Sequence, residues 1–240
     1  MSQLSASEIL EIVKNSPSNR VKIAVADIDG VLRGKYMSKD KFLQVAESDF
    51  GFCDVVFGWD CADIAYDNAS ITGWHTGYPD TPAKVDLKTF RLIPWEDQMP
   101  FFLADFDCEN SNVSKIDPRT LLKSVVKRAE YMGYVPNFSQ EFEWFNFKET
   151  PQSVYTKGFK DLEPLTSGMF GYSILRASLH GGFLADIMNH CSAFGIPLEG
   201  LHTETGPEVM EAAITYSNAL EAADRAILFK TTVKEIAYKH

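Results

Sequence analysis

The sequence is poor in the features that mark disulfide-stabilised, zinc-binding and membrane-spanning proteins. Only four of its 240 residues are cysteine, Cys53, Cys61, Cys108 and Cys191, and no two have the C-x-x-C spacing of a metal or redox site. It contains no run of roughly 18 apolar residues and begins with no basic segment followed by an apolar one. These absences predict a cytoplasmic protein with free thiols and no membrane segment.

Basic residues are also scarce. Lysine and arginine number 23 against 33 aspartate and glutamate residues, which gives a formal net charge of -10. A chain this acidic is not expected to bind a nucleic-acid backbone or an anionic membrane surface. It is instead rich in core-forming residues, with 45% hydrophobic and 12% aromatic content, so its length predicts one or two globular domains.

Helix, strand and turn signals predict an α+β chain divided into domains 1–112 and 113–240. In the first domain a capping box at Ser5 predicts a helix, and Asp29-Gly30 predicts the turn of a hairpin. The remaining predicted elements of this domain are a helix after Ser38, an irregular loop over 60–83 and strands over 84–94 and 99–107. Most of the first domain is therefore predicted to be β-structure.

The second predicted domain begins with a helix whose signals are Asp117 as N-cap, Pro118 at the first helical position and Gly133 after the end. Alternating patterns then predict further elements in chain order. These are a strand over 134–147, a loop over 157–173, a helix over 180–194, a hairpin over 196–216 and a helix over 218–240.

Four glutamates are the strongest chemical signal. Glu141 and Glu143 lie in a strand of alternating aromatic and polar residues and would project from one face, roughly 7 Å apart. A hairpin turning at 207/208 would set Glu204 opposite Glu211. Carboxylates that close repel each other unless a cation lies between them, and hard oxygen ligands suit Mg²⁺ or Mn²⁺.

Other interpretations of these residues stay open at this point. Exposed glutamates are common on an acidic protein, and carboxylate pairs also serve glycoside hydrolysis without ATP. His202, two residues before Glu204, is predicted to be a structural or surface histidine rather than a ligand. Tyr172 is as compatible with packing as with function.

Several segments in succession resemble the glutamine synthetase family along nearly the whole chain. The segment Tyr66-Asp67-Asn68-Ala69-Ser70-Ile71-Thr72-Gly73-Trp74 is similar to the family loop F-D-G-S-S-I-x-G-W, and Glu141-Phe142-Glu143 to its E-x-E strand. Residues 199–211 are similar to the family pattern E-x-x-x-x-E-x-G-P-G-x-x-E. Further similar segments are 27–35, 79–80, 93–95 and 224–230.

The resemblance implies an N-terminal β-grasp domain followed by the first part of a catalytic domain with a curved antiparallel sheet and helices. It implies an ATP-dependent ligase of nitrogen metabolism that joins glutamate to ammonia through γ-glutamyl phosphate, in a homo-oligomer of stacked rings. A larger amine as substrate, or a non-catalytic binding or assembly module, are the alternatives. The implied ligands are ATP, glutamate, ammonia or an amine, and Mg²⁺ or Mn²⁺.

The resemblance also implies roles for individual residues. Glu143, Glu204 and Glu211 would bind the metal nearer glutamate, and Glu141 the metal nearer the nucleotide. Glu199 would lie in the nucleotide pocket. The ammonium site would include Asp67, which would help deprotonate ammonium, together with Ser70 and Tyr172.

The sequence departs from the family pattern in two places. Glu208 occupies the position of a turn glycine, where a positive φ would be strained for any other residue. The part of the family that carries a histidine metal ligand, the substrate-binding arginines and the closing flap has no counterpart here. We therefore expect these 240 residues to be a truncated N-terminal half of a ligase that is inactive alone.

Overall fold

A computed structural model describes residues 4–106 and 112–240 and divides the chain into two compact units, Met1–Pro136 and Asn137–His240. The residues just before the predicted boundary at 112/113, including Cys108, lie outside the described ranges, and that boundary stays a prediction. Cys53, Cys61 and Cys191 are free thiols, as predicted. Among the described helices, none combines the length and apolar character that a membrane crossing requires.

The first unit contains a six-stranded sheet. Its strands are β1 (Arg20–Ala26), β2 (Leu32–Ser38), β3 (Asp49–Cys53), β4 (Asp80–Val85), β5 (Arg91–Ile93) and β6 (Met99–Asp105). Its helices are α1 (Ala6–Asn15), α2 (Lys39–Val45) and α3 (Pro118–Tyr131). The strand order is β2-β1-β6-β4-β3, with β5 also on β6. Only β1 and β6 run parallel; the other paired strands are antiparallel.

Local capping signals fix the helix starts of this unit. The Ser5 hydroxyl accepts the Glu8 N–H at 3.3 Å while the Ser5 N–H donates to the Glu8 carboxylate at 2.7 Å, which completes the predicted capping box. Ser38 and Asp117 cap α2 and α3 as predicted. Gly133, with φ +84°, follows the end of α3. The predicted helices are confirmed because each carries its own boundary signals.

One strand prediction in this unit is wrong. The run predicted as a strand over 84–94 is interrupted by a 3₁₀ turn at Leu87–Thr89, so that β4 and β5 are separate. The Asp86 carboxylate starts this turn by accepting the Lys88 N–H at 3.1 Å. An aspartate that caps its own following residues competes with the strand ladder, which explains the break.

The core of the first unit is aromatic. Phe42 from α2 stacks on Phe102 of β6 with ring centroids 4.7 Å apart, and Phe106 meets Phe52 and Phe57 edge to face. Each fully buried side chain of this size contributes roughly 1.5–3 kcal/mol by leaving water. This packing holds the sheet against α2.

The second unit carries the predicted hairpin. Its strands are β7 (Asn137–Phe138), β8 (Glu141–Phe145), β9 (Leu198–Thr203), β10 (Val209–Ile214) and β11 (Ser217–Asn218). Its helices are α4 (Pro151–Thr156), α5 (Ile174–Leu179), α6 (Gly181–Ala193) and α7 (Ala219–Ala237). Three strands form an antiparallel sheet in the order β8-β10-β9, and β11 pairs with β7.

The sequence predicted α6 and α7 but missed α4 and α5. Both missed helices have only six residues and no buried side chain, so neither has an apolar face to reveal it. Phe142 and Trp144 of β8 contact Phe229 of α7, with ring centroids 5.4 and 5.7 Å apart. One face of β8 therefore packs on α7, which leaves the opposite face for its glutamates.

Candidate functional site

The Asp67 loop belongs to the first unit, between the 3₁₀ turn Asp54–Phe57 and β4. Arg33 holds the start of the loop, because its guanidinium donates to the Asp63 carboxylate at 2.5 Å and to the Asp60 carbonyl at 3.1 Å. The same guanidinium donates to buried Asp27 at 2.7 Å. The side chain of Asp67 is exposed on this anchored loop.

Thr72 fixes the far end of the loop by donating from its hydroxyl to Asp54 at 2.7 Å in the interior of the first unit. Ser70 is exposed, and its carbonyl contacts the His75 ring at 3.3 Å. Asp67 and Ser70 are thus presented to solvent by a loop that is tied to the core at both ends.

The register of the second unit corrects the predicted hairpin. Glu211 lies opposite His202, not opposite Glu204, and the Glu204 N–H donates to the Val209 carbonyl at 2.8 Å. The strands therefore turn one position earlier than predicted. This displaces the pairing by two residues, so Glu204 and Glu211 keep to the same face of the sheet and become diagonal neighbours.

Glu211 is also the direct cross-strand partner of Glu143 on β8. Directly opposed residues in an antiparallel pair share a face, so Glu143, Glu211 and His202 form one row across the three strands. Glu141 pairs with Ala213 and lies on the same face, next along β8. The register thus gathers all four predicted metal ligands on the face that is opposite α7.

Three side chains of this face converge. His202, Glu204 and Glu211 each offer a ligand atom, and these atoms lie within 4.8 Å of one another. The His202 Nε2 atom is 4.0 Å from the Glu211 carboxylate. Ligands on opposite sides of a Mg²⁺ ion are separated by about 4.2 Å, so the spacing of these atoms suits one divalent cation, and the two carboxylates supply hard oxygen ligands. Glu141 and Glu143 lie beside this group but outside it.

His202 is held in an orientation that leaves Nε2 available. Its Nδ1 atom lies 3.2 Å from the Thr203 carbonyl, and a hydrogen bond from Nδ1–H leaves Nε2 with its lone pair free for a metal. The Tyr172 ring stacks on the imidazole with centroids 4.2 Å apart and an angle of 17° between the planes. The structure therefore brings Tyr172 next to the cluster of His202, Glu204 and Glu211.

The segment that carries Tyr172 is fastened to β9. The Tyr172 N–H donates to the Thr203 carbonyl at 2.7 Å, and the Ser173 N–H donates to the Thr203 hydroxyl at 3.0 Å. That hydroxyl donates in turn to the Phe170 carbonyl at 2.7 Å. Tyr172 itself has φ +55° and remains 70% exposed. Its ring is thus positioned by backbone bonds while most of the residue is exposed to solvent.

Glu199 occupies an irregular point on β9. Gly200 pairs with Ala213 while Leu198 pairs with Ile214, so β9 has one extra residue at Glu199. Such a bulge redirects the side chain that alternation would place on the α7 face, and Glu199 is exposed. This residue is set apart from the row formed by His202 and Glu211.

Glu208 adopts the strained conformation that the sequence predicts for a non-glycine residue in this turn, with φ +55°. Its side chain is only 4% exposed and accepts a hydrogen bond from the Thr166 hydroxyl. Its carbonyl accepts the backbone and side-chain N–H groups of Asn146, both at 3.2 Å. Glu208 thereby joins the turn after Glu204 to the end of β8.

The sequence predicts His202 to be a structural or surface residue. The structure instead brings it into the cluster with Glu204 and Glu211. A usable signal was present, since His202 and Glu204 are separated by one residue on a strand and so share a face. What the sequence did not reveal was the register, which sets Glu211 beside His202.

The family described as glutamine synthetase, catalytic domain, matches residues 115–240. The type-1 glutamine synthetase 2 of Dictyostelium discoideum is 54% identical over 229 residues, which is 95% of this chain and 44% of that protein. The glutamate–isopropylamine ligase of Pseudomonas sp. is 33% identical over 244 aligned positions, or 100% of this chain and 53% of that protein.

The solved GmaS/ADP complex superposes with a TM-score of 0.77 at 22% identity and covers 97% of this chain and 49% of that one. This likeness shows the shared fold, a mixed α/β fold with a curled sheet. The chain spans about half the length of the curated relatives it matches. Assignment of the first unit as a β-grasp domain stays a prediction.

Proposed function

Since the chain belongs to the glutamine synthetase family, we propose that it supplies the acidic part of an ATP-dependent ligase site that joins glutamate to ammonia or another amine. The observation that carries this proposal is the convergence of His202, Glu204 and Glu211 within 4.8 Å. Glu143, directly across from Glu211, is available as a further ligand on the same face.

The two carboxylates of the donor set fit a hard divalent cation such as Mg²⁺ or Mn²⁺, because carboxylate oxygens are the ligands that these ions prefer, whereas an imidazole nitrogen suits later transition metals better. Glu143, His202, Glu204 and Glu211 would hold one ion, and Glu141 would reach a second one nearer the nucleotide. A bound ion would neutralise negative charge on the phosphoryl group that passes from ATP to the glutamate γ-carboxylate.

The proposed reaction has two steps. A γ-carboxylate oxygen attacks the terminal phosphorus of ATP, and ADP leaves as γ-glutamyl phosphate forms. Ammonia then attacks the γ-carbonyl carbon, a C–N bond forms and phosphate leaves. Asp67 would serve the site of a neighbouring subunit, where it would accept a proton from ammonium, with Ser70 shaping its loop. In the second unit, Tyr172 would add a hydroxyl and Glu199 would contact the nucleotide.

A larger amine is the second candidate substrate. One relative is a glutamate–isopropylamine ligase, which is 33% identical to this chain and covers all of it. Supplying ammonia, isopropylamine and ethanolamine separately to the assembled enzyme, and comparing the γ-glutamyl products by mass spectrometry, would distinguish the substrates. The carboxylate-pair hydrolase interpretation has no support in the family membership.

A non-catalytic module is the third candidate for the 240 residues taken by themselves, which span about half the length of the curated relatives they match. We propose that the 240 residues alone do not form γ-glutamyl hydroxamate from glutamate, hydroxylamine and ATP. ATP-dependent hydroxamate formation by the purified chain would overturn this expectation and support complete catalytic machinery within it.

The metal site is tested by thermal unfolding with and without Mn²⁺. An ion at one hundred times its Kd stabilises by about 2.7 kcal/mol, which corresponds to a rise in Tm of roughly 5–10 °C. Glu211→Gln should lose most of this rise. Glu47→Gln, an exposed change in the first unit, should retain it. An equal rise in both variants would exclude the proposed site.

A further inference from the structure

Thr203 is the last residue of β9, the edge strand of the three-stranded sheet, and lies between His202 and Glu204 in the chain. The Glu204 N–H donates to the Val209 carbonyl of the hairpin, and bonded and non-bonded pairs alternate along an antiparallel ladder. Thr203 therefore directs its own N–H and C=O groups away from β10. Its side chain, which alternation places on the face opposite His202, is only 5% exposed.

The segment 170–173 lies along this edge and is held there by the Thr203 hydroxyl. That hydroxyl donates to the Phe170 carbonyl at 2.7 Å and accepts the Ser173 N–H at 3.0 Å. The Ser173 N–H also reaches the Phe170 carbonyl at 3.4 Å, so the four residues form a turn. One hydroxyl thus binds the first and the last residue of the 170–173 turn.

Tyr172 occupies the third position of this turn with φ +55°. A residue with a Cβ atom is strained there and keeps such a conformation only where its surroundings impose it. The Tyr172 N–H donates to the Thr203 carbonyl at 2.7 Å, in addition to the two bonds that the hydroxyl makes to the neighbouring residues. Thr203 therefore stabilises the backbone conformation that directs the Tyr172 ring.

The Thr203 carbonyl also orients His202, because its oxygen lies 3.2 Å from the Nδ1 atom of the imidazole. A carbonyl oxygen only accepts, so Nδ1 carries the proton and Nε2 of the neutral ring does not. From the other side the Tyr172 ring stacks on the imidazole at 4.2 Å. His202 is thus held by two contacts that both depend on Thr203, with Nε2 4.0 Å from the Glu211 carboxylate.

The same turn borders a second member of the cluster. A Cβ atom at Gly171 would lie 3.6 Å from the Glu204 Oε2 atom, so the backbone of the turn passes close to this carboxylate. The 170–173 turn therefore adjoins two of the three side chains that converge as a candidate metal site.

We propose that Thr203 is a positioning residue for the cluster of His202, Glu204 and Glu211. Its hydroxyl closes the 170–173 turn on β9, and the Tyr172 ring and the Thr203 carbonyl then hold His202 with Nε2 toward the carboxylates. Thr203 itself does not contact the ion, since its side chain lies on the opposite face. The proposal rests on the proposed function for the metal, but its first test uses no metal.

Histidine NMR of the full chain tests the orientation of His202. The chain has five histidines, so selective isotope labelling of the imidazoles gives few signals, and the one lost in His202→Phe belongs to His202. Protons above an aromatic ring resonate upfield, and Tyr172→Asn, which tolerates a positive φ, gives the position without the ring. Thr203→Val should move the His202 signal most of the way to that position, and Thr203→Ser should leave it unchanged.

Calorimetric titration with Mn²⁺ tests the consequence for the cluster. Thr203→Val should bind about tenfold more weakly, as is usual when a residue that orients a metal ligand is lost, while Thr203→Ser should bind as the wild type does. Thr89→Val is the control, because the Thr89 hydroxyl donates to the Asp86 carbonyl at 2.6 Å and accepts the Leu103 N–H at 2.8 Å, but in the first unit. It should leave the Mn²⁺ affinity and the His202 signal unchanged.

A Thr203→Val variant that keeps the upfield His202 signal and the Mn²⁺ affinity would overturn the proposal. So would equal effects of Thr203→Val and Thr203→Ser, or of Thr203→Val and Thr89→Val, because the effect would then not depend on this hydroxyl. If Thr203→Val does not fold, Tyr172→Asn decides, and an unchanged Mn²⁺ affinity in that variant rejects the proposal. A wild type with the predicted His202 shifts but no Mn²⁺ binding would instead contradict the proposed function and support the role of Thr203.

Discussion

Glu211 on β10 lies directly across from Glu143 on one side and His202 on the other. This relationship places a central carboxylate between a second carboxylate and an imidazole on one face of a three-stranded sheet. The hydrogen bonds between antiparallel strands fix the Cα–Cα distances between directly opposed residues within a narrow range. The candidate metal site therefore depends on backbone register as much as on side-chain identity.

Replacing His202 tests whether its ring binds a metal or only packs. His202→Phe keeps an aromatic ring to stack on Tyr172 and removes the Nε2 donor that lies 4.0 Å from Glu211. We expect Mn²⁺ affinity, measured by calorimetric titration, to fall about tenfold or more. His75→Phe, an exposed change in the first unit, is the control. Unchanged affinity in His202→Phe would assign this histidine to packing.

Replacing Glu208 separates backbone strain from side-chain bonding. At φ +55° an alanine retains the strain of a Cβ atom, while a glycine does not. Both variants lose the bond from Thr166. Glu208→Gly should therefore be more stable than Glu208→Ala by about 1–2 kcal/mol, measured from urea unfolding midpoints. If alanine proves as stable as glycine, strain at this turn is not significant.

The sequence predicts elements that carry local boundary signals and fails where pairing decides the outcome. Ser5 and Asp117 mark their helices because a cap depends only on neighbouring residues. The hairpin prediction missed by one turn position, since the turn depends on whether Gly206, Glu208 or both take a positive φ, while the ring of Pro207 holds its φ negative. In the structure Gly206 and Glu208 both take a positive φ.

Part of the site was nevertheless predictable, because a displacement of two residues preserves the face on which Glu204 and Glu211 lie. His202 was not identified, because a histidine on a strand has no distinctive pattern until its cross-strand neighbours are known. The bulge at Glu199 was also hidden, because it depends on pairing. Residues 198–200 of β9 lie opposite only two residues of β10, 213 and 214.

Removing Arg119 should strongly destabilise the first unit. This buried guanidinium donates to Asp105 at 2.6 Å and to Asp86 at 2.8 Å. Burial alone would raise the pKa of Asp86, but the Arg119 charge and hydrogen bond hold it below its usual value. Arg119→Met leaves these carboxylates without that partner, and we expect a loss of about 3–5 kcal/mol in the free energy of unfolding.

The control for Arg119→Met is Lys127→Met, which removes a positive charge from an exposed position on the same helix. Its effect on urea unfolding should stay within about 0.5 kcal/mol, as is usual for surface changes. Similar losses in the two variants would show that net charge, rather than the buried network, governs the stability of this unit.

Asp54 gives the loop that carries Asp67 a pH-dependent anchor. Burial raises the pKa of Asp54 above its ordinary value of 3.8, although the hydrogen bond from Thr72 opposes the rise. The folded state thus binds this proton more tightly than the unfolded state does. The contribution of the group to stability is present below the unfolded pKa and is lost as pH increases through the raised folded pKa.

Asp54→Asn keeps an oxygen acceptor for Thr72 and removes the buried charge. Relative to the wild type, this variant should therefore gain stability as the pH increases from about 4 to 7, measured by urea unfolding at each pH. Asp29→Asn, an exposed change in a turn that accepts either residue, should show no such trend. A wild-type advantage that instead grows with pH would mean that ionised Asp54 is stabilised in the fold.

Thr72→Val should lower the free energy of unfolding by roughly 1–3 kcal/mol, measured by urea unfolding, since it leaves the Asp54 carboxylate without its donor.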